Sequence, residues 1–449
     1  MMKRFSSAGI VAVAILTAVS AGAQDFNSPR LEAATSWIGN TYGGGQKWVQ
    51  QDIHALAVTP DGTVFTNVLW DEGGGNVGQY KDGELVRYAR RTHGWGANGG
   101  EAVAANAKYL FFGMEMGNEG GKLIDPETWP PKGSRWFGIS RRTRVDISQA
   151  APFPGGKGGK GDTLKGSLLV VAEVPEKTGE ALAGLCADET RLYVADPNDG
   201  KIKVFDAETM QPITSWKIER AGPLALDHAG AVWMLERRTD TAPARVVRFN
   251  SQGEASVVPI VFAPEVVPVA FCFASDGRLL VVDDGPAQQV RMFKIEGNAV
   301  REAGTFGNRG GIASGAPGAI ADRKFNRVTA IGYDAADNLV VAQDGQSGGG
   351  GTVLESYRLK DGKRNWRLLG LTFVDMADVD PASDADVFTK EEHFRLDYSQ
   401  AAGREASYAG FTIGREKYPQ DPRLHVWSGG AWVREIAGTC CPIKSPNLR

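Results

Sequence analysis

Apolar and polar residues alternate in short runs along this chain, and each run ends in a tight polar turn. Alternation with period two predicts half-buried β-strands, and Asp-Gly or Asn at the turn supplies the backbone angles of a hairpin. Seven segments share one pattern of apolar strand, short turn, and β-branched or aromatic strand. They are "IHALAVTPDGTVFTN", "EAVAANAKYLFFG", "ALAGLCADETRLYVAD", "GPLALDHAGAVWMLE", "PVAFCFASDGRLLVVD", "TAIGYDAADNLVVAQD" and "FVDMADVDPASDADVFTKE". After most of them comes a second hairpin whose first strand also alternates: "KIKVFD", "ARVVRFN", "QVRMFKI", "TVLESYRL". Each unit thus reads as four short antiparallel strands, a to d, recurring every ~40 to 60 residues.

A lone four-stranded sheet leaves both faces wet. Tandem sheets packed radially cover one another, which is the solution of a β-propeller. The expected fold is all-β: a propeller of seven clear units plus a partial eighth, with an N-terminal strand closing the ring. The alternative is a six-bladed propeller with long insertions. A β-sandwich would not repeat its internal turns.

The stretch "LYVAD…KIKVFD", Leu192 to Asp206, resembles the NHL-repeat propellers and, more broadly, the gluconolactonase-like group. These motifs are structural and specify no one activity. Gluconolactonase-like propellers hold a divalent cation with carboxylate and asparagine side chains from different blades. That resemblance implies calcium or another divalent cation as a possible cofactor. The early Glu-Gly-Pro motif of that group is not found here, and "NEGG", Asn118 to Gly121, is a loose echo of it.

Ring closure is read from two similar stretches. "GTFGNRGG", Gly304 to Gly311, has the form of an outer strand d and the loop into the next blade. "SWIGNTYGGG", Ser36 to Gly45, has the same form and is followed by "IHALAV". It is expected to be strand d of the last blade, whose inner strands come from the C-terminus. There, "EASYAGFTIG" reads as a strand d, and "RLHVW" and "AWVREIAG" as a further hairpin.

The first residues add a location. Lys3 and Arg4, the apolar run Ala8 to Val19, and Ala21-Gly22-Ala23 form a secretory signal peptide, residues 1–23, ahead of one propeller domain, 24–449. The expected product is secreted or periplasmic, with no transmembrane anchor. Charge changes little: the net value of -3 gives no reason to expect nucleic acid as a partner. Glycine is the compositional anomaly, at 57 of 449 residues. Of the four cysteines, Cys186 and Cys272 sit in strand-like segments and read as small hydrophobes. Cys440 and Cys441 are adjacent, as a strained disulfide or two thiols.

The glycines concentrate in b–c and d–a connections, which share one face of a propeller: 70–78, 90–100, 114–136, 307–326 and 344–351. Long loops of this kind carry function more often than core. The exception is "PFPGGKGGKGD", Pro152 to Asp162, a c–d loop on the opposite face. Trp70, Asp71, Trp95, Asn118 and Glu119 in the elaborated loops are the candidate ligand-binding residues, with Trp129 and Trp136 nearby; the tryptophans suit sugar stacking or loop packing. The ends of strands b carry Asp196, Glu236, Asp283, Gln343 and Glu391, with Asp344 and Glu115 close by. Asp196, Glu236, Asp283 and Asp344 are the candidate metal ligands, as a ring of oxygens for a hard cation. Their alternative role is to hold the following turn. His93, beside Trp95, is the one weak catalytic candidate.

Three functions follow. The first is an exported propeller binding a glycan, peptide or protein through the loop face. The second is a cation-dependent hydrolase or lyase acting on a sugar lactone or related substrate. The third is a structural scaffold. Fold alone does not choose among them.

Overall fold

The computed structural model describes most of residues 53–370, with short strands before and after that span; the first 34 residues and the loops 69–76, 90–96, 118–128, 159–163, 315–320 and 345–351 lie outside the described residues. The signal peptide therefore lies outside them too.

Six antiparallel four-stranded sheets follow one another along the chain, each in the order a-b-c-d. Blade 1 holds β2 (Ile53–Val58), β3 (Val64–Val68), β4 (Val77–Lys81) and β5 (Glu84–Tyr88). Blade 2 holds β6 (Ala97–Ala105), β7 (Tyr109–Gly117), β8 (Ser134–Thr143) and β9 (Leu168–Pro175). Blade 3 holds β10 (Gly184–Ala187), β11 (Arg191–Asp196), β12 (Lys201–Asp206) and β13 (Pro212–Lys217). Blade 4 holds β14 (Leu224–Leu226), β15 (Val232–Glu236), β16 (Arg245–Phe249) and β17 (Ile260–Val261). Blade 5 holds β18 (Pro268–Phe273), β19 (Leu279–Asp283), β20 (Gln289–Glu296) and β21 (Ala299–Phe306). Blade 6 holds β22 (Val328–Tyr333), β23 (Asn338–Gln343), β24 (Thr352–Arg358) and β25 (Lys363–Gly370).

The a–b turns form for a local reason. An aspartate at the turn start accepts backbone N–H groups that the turn would otherwise leave unpaired. Asp227 Oδ1 takes the N–H of Ala229 and of Ala231, each at 2.9 Å, and Asp334 Oδ1 takes those of Ala336 and Asn338 at the same distance.

Each face of a blade packs on its neighbour. Among the described residues the core accordingly includes six clusters of buried side chains, one between each pair of successive blades. The sixth joins blade 6 to blade 1: Ile53, Val64, Val68 and Tyr80 meet Ala330, Val340, Ala342, Leu354 and Leu368. Each of the valine, isoleucine and leucine side chains contributes about 1.5–3 kcal/mol by leaving water. The Ala335 N–H also donates to the Pro60 carbonyl at 3.1 Å across the same seam.

This corrects the expected count of seven units and a partial eighth. The ring is complete at six blades, because blade 6 already packs on blade 1. The first six repeat segments each supply strands a and b of one blade. The seventh supplies β26 (Ala377–Asp380) and β27 (Ser383–Thr389), which with β28 (His393–Arg395) make a separate three-stranded sheet. Alternation identified the hairpin correctly, but a hairpin becomes a blade only if a ring has room for it. The closing strand is also corrected. β1 (Thr35–Trp37) does join the last blade, pairing Thr35 with Leu369 and Trp37 with Gly370, but it runs parallel to β25 as a fifth strand. Strand d of that blade is β25 itself. Further on, Glu405–Ala406 pairs with Phe411–Thr412, and Trp427–Ser428 with Ala431–Trp432, as isolated two-stranded pieces.

Candidate functional site at the channel mouth

Strand a is the innermost strand of every blade, so six such strands surround the axis. Each has one edge that pairs with no other strand, and side chains already serve part of it, Thr329 Oγ1 donating to the Ile53 carbonyl and Asn67 Nδ2 to the Ala102 carbonyl. Close approaches occur there both between blades 3 and 4 and within blade 4. A Cβ on Gly184 would lie 2.5 Å from the Gly222 carbonyl oxygen, and one on Gly222 would lie 1.8 Å from that of Leu235. Only glycine permits this approach.

The channel holds a cavity of about 270 Å³. Residues of all six strands a line it, from His54 and Leu56 in blade 1 to Thr329 and Ile331 in blade 6. Three charged residues join them: Arg237, Asp284 and Arg327. Arg237 follows the last residue of β15, Asp284 follows the last residue of β19, and Arg327 immediately precedes β22. All three therefore belong to the face of the b–c and d–a connections. Gln288 fixes Asp284: its Nε2 donates to Asp284 Oδ1 at 2.9 Å and to the Asp284 carbonyl at 2.8 Å. Gln288 Oε1 accepts the backbone N–H of Arg327 at 2.8 Å, so one amide links neighbouring blades 5 and 6 at the mouth. Burial pushes the Asp284 carboxyl above its ordinary range and neighbouring Asp283 adds to this, while Gln288 and Arg327 oppose it.

The strand-end acids occupy a different layer. Asp196, Glu236 and Asp283 are 0%, 3% and 1% exposed, and each is held by a base on strand c of its own blade. Lys203 Nζ lies 2.7 Å from Asp196 Oδ2, while Asn198 donates its backbone and side-chain N–H groups to Oδ1. Arg245 Nε and Arg220 Nη2 both lie 2.7 Å from Glu236 Oε2. Arg291 Nε lies 2.9 Å from Asp283 Oδ2, and Asp283 Oδ1 accepts the N–H groups of Gly285 and Val267. Burial works against the Lys203 and Arg291 charges, yet their carboxylate partners outweigh it and hold both above their ordinary values. Blade 6 shifts the pattern outward: Gln343 donates to Glu355 on strand c at 2.9 Å, and Glu355 pairs with Arg367 on strand d. Asp344 is buried, with Arg327 Nε 3.5 Å from its Oδ1. Among the described residues, no three His, Cys, Asp or Glu side chains converge on one point where a cation would sit.

Other sequence candidates divide cleanly. Trp129 and Trp136 are buried in the core between blades 1 and 2, and Trp136 donates to Glu173 at 2.8 Å. Glu115 lies on β7, 3.7 Å from Arg135 on β8. Cys186 and Cys272 are free thiols, and burial pushes both up, as expected of packing residues. The loop around Pro152 connects strands c and d of blade 2, on the face opposite the mouth. His93, Trp70, Asp71, Trp95, Asn118, Glu119 and Glu391 lie outside the described residues.

Sequence reading passed over Arg237, Asp284 and Arg327. A signal for the first two was present. Glu236-Arg237 and Asp283-Asp284 put a second charged residue just past each strand end. Both stand one residue past the end of strand b, on the face of the b–c connections where the mouth lies.

No protein-family model matches the chain, and no curated protein matches it. Among solved structures it is similar to hydrazine synthase of Kuenenia stuttgartiensis, at 13% identity over 68% of this chain and 78% of that one, with a TM-score of 0.40. It is similar to a protein of unknown function from Bacteroides thetaiotaomicron VPI-5482, at 13% identity over 69% and 72%, TM-score 0.42. A third likeness is to a protein of unknown function from Bacteroides caccae, at 12% identity over 73% and 96%, TM-score 0.37. None of these carries a family or an activity to this chain. What stands is a six-bladed propeller.

Proposed function

We propose that this chain is an exported binding propeller whose site is the mouth and upper shaft of the central channel. The export rests on the signal-like residues 1–23. The binding site rests on one observation: side chains from blades 4, 5 and 6 converge with His54 of blade 1 on a single cavity. At about 270 Å³ the space is close to the lower end of the ~300–1,000 Å³ typical of small-molecule sites, which suits a small molecule and excludes a folded partner from the shaft. A glycan, peptide or protein partner would enter only by a terminal group.

The strand-end carboxylates support binding over cation-assisted hydrolysis. Their oxygens are engaged by Lys203, Arg220, Arg245 and Arg291 within the wall, rather than aimed at a common point. The test is hydrogen exchange on the mature protein with small molecules selected by thermal shift. A ligand in the channel is expected to slow exchange in β10, β14, β18 and β22, whose free edges it would cover, and to leave β13 and β21 unchanged. Hits that protect only the outer strands or loops would refute the channel as the site.

A further inference from the structure

Resting on that reading, we propose that Gln288 is the positioning residue of the channel mouth: one buried amide sets where Asp284 of blade 5 and Arg327 of blade 6 stand.

The backbone marks the spot. Gln288 has φ 48° and Arg327 has φ 50°, both left-handed without being glycine. Side chains of this bulk disfavour that region, and such residues persist only where their surroundings hold them. Here two of them meet across one hydrogen bond, from the Arg327 backbone N–H to Gln288 Oε1 at 2.8 Å. Glycine would adopt this φ without strain, so what glutamine adds at position 288 is its amide.

That amide works from behind the wall. Asp284 and Arg327 line the cavity, whereas Gln288 is 3% exposed. Its Nε2 reaches Asp284 Oδ1, the Asp284 carbonyl and, at 3.2 Å, the Gly285 carbonyl, so it holds both the carboxylate and the backbone of Asp284. The corner is braced from other directions as well. The Gly310 N–H donates to the Ala287 carbonyl at 2.8 Å, and the Asp344 N–H to the Arg327 carbonyl at 3.3 Å. The Asn326 N–H donates to Gln343 Oε1 at 2.7 Å, and the Arg327 guanidinium is paired with buried Asp344. Blade 6 thus holds Arg327 from its own side, and Gln288 ties it to blade 5. A shift of Gln288 moves two lining residues on neighbouring blades together, with no contact between Gln288 and a ligand.

The test uses the full mature chain without ligand. Gln288→Gly keeps the left-handed backbone and removes the amide. Hydrogen exchange around Arg327, and the rate at which phenylglyoxal modifies Arg327, should each rise about tenfold, the opening that loss of one buried hydrogen bond allows. The wall arginines Arg245 and Arg291 should react at unchanged rates. Gln288→Asn, one methylene too short and also tolerant of this φ, should behave the same way and guards against a glycine variant that fails to fold. Gln289→Ala is the control for a merely structural glutamine, since its amide donates to the Gly307 carbonyl at 2.6 Å instead. An unchanged Arg327, a rise shared evenly with Arg245 and Arg291, or an equal rise in Gln289→Ala would each overturn the proposal. None of these readouts needs a ligand, so such a failure leaves the binding reading to the channel-exchange experiment.

Discussion

Blade 1 and blades 3 to 5 solve the same problem with different chemistry. In blades 3 to 5 the strand-b end carries a buried acid, and strand c supplies the base: Asp196 with Lys203, Glu236 with Arg245, Asp283 with Arg291. In blade 1 the corresponding region carries two amides, Asn67 on β3 and Gln79 on β4. Asn67 looks outward instead: its Nδ2 donates to the Ala102 carbonyl at 2.9 Å and the Gly113 carbonyl at 3.0 Å, both in blade 2. The charged version ties strand b to strand c within a blade. The neutral version ties one blade to the next. Both keep the b–c corner in place, so the acids are part of the wall that supports the mouth.

The largest effect should come from breaking the charged version. Glu236→Ala leaves Arg220 and Arg245 without their shared carboxylate, and is expected to cost about 3 kcal/mol in urea unfolding. The loss should be the same in calcium and in chelator, since the role is pairing with arginine. A cost below about 1 kcal/mol, or one that appears only when calcium is removed, would return these carboxylates to cation binding.

The neutral version should break next. Asn67→Ala strips two buried carbonyls of their donor, for about 2 kcal/mol. The sharper experiment transplants one version onto the other. Asn67→Asp places a carboxylate against the Ala102 and Gly113 carbonyl oxygens and should destabilise at least as much. Gln79 stands diagonally across from Asn67, as Lys203 does from Asp196. Adding Gln79→Lys should therefore recover about 1 kcal/mol of the loss. An absence of recovery would mean that the two blades are not equivalent at this corner.

The same comparison explains what the sequence disclosed. Period-two alternation and the turn aspartates made six blades legible strand by strand, because burial and hairpin geometry leave local marks. The blade count was not local. "FVDMADVDPASDADVFTKE" alternates as well as its predecessors, and only the packing of Ile53 and Tyr80 on Leu354 and Leu368 shows that no place remains for it. The strand-end acids were legible as a repeating feature, but their partners lie seven to nine residues on in the next strand, within easy sequence reach. Pairing an acid with the following strand's base is a two-dimensional inference that a linear search for metal ligands overlooks. Arg237 and Asp284 leave a weaker mark, because each lies one residue past a strand end, outside the alternation that marks the strand.

The smallest effect concerns that further step. Asp283 and Asp284 are neighbours, yet the first is paired with Arg291 and the second faces the mouth. Burial raises the Asp284 carboxyl above its ordinary value of ~3.9, so the folded state holds its proton to higher pH than the unfolded chain. Protonated, the group costs nothing extra. As pH rises from the unfolded value through the raised folded value, the native state must carry a charge its surroundings disfavour, and stability falls. Asp284→Asn keeps Oδ1 as an acceptor for Gln288 and cannot ionise. It should raise the melting point at pH 7, and the gain should vanish near pH 3. Asp283→Asn, by contrast, weakens the pairing with Arg291 and should lower the melting point at pH 7. Opposite signs at two adjacent aspartates would separate wall from mouth at single-residue resolution. Equal losses at both would place Asp284 in the wall and remove it from the site.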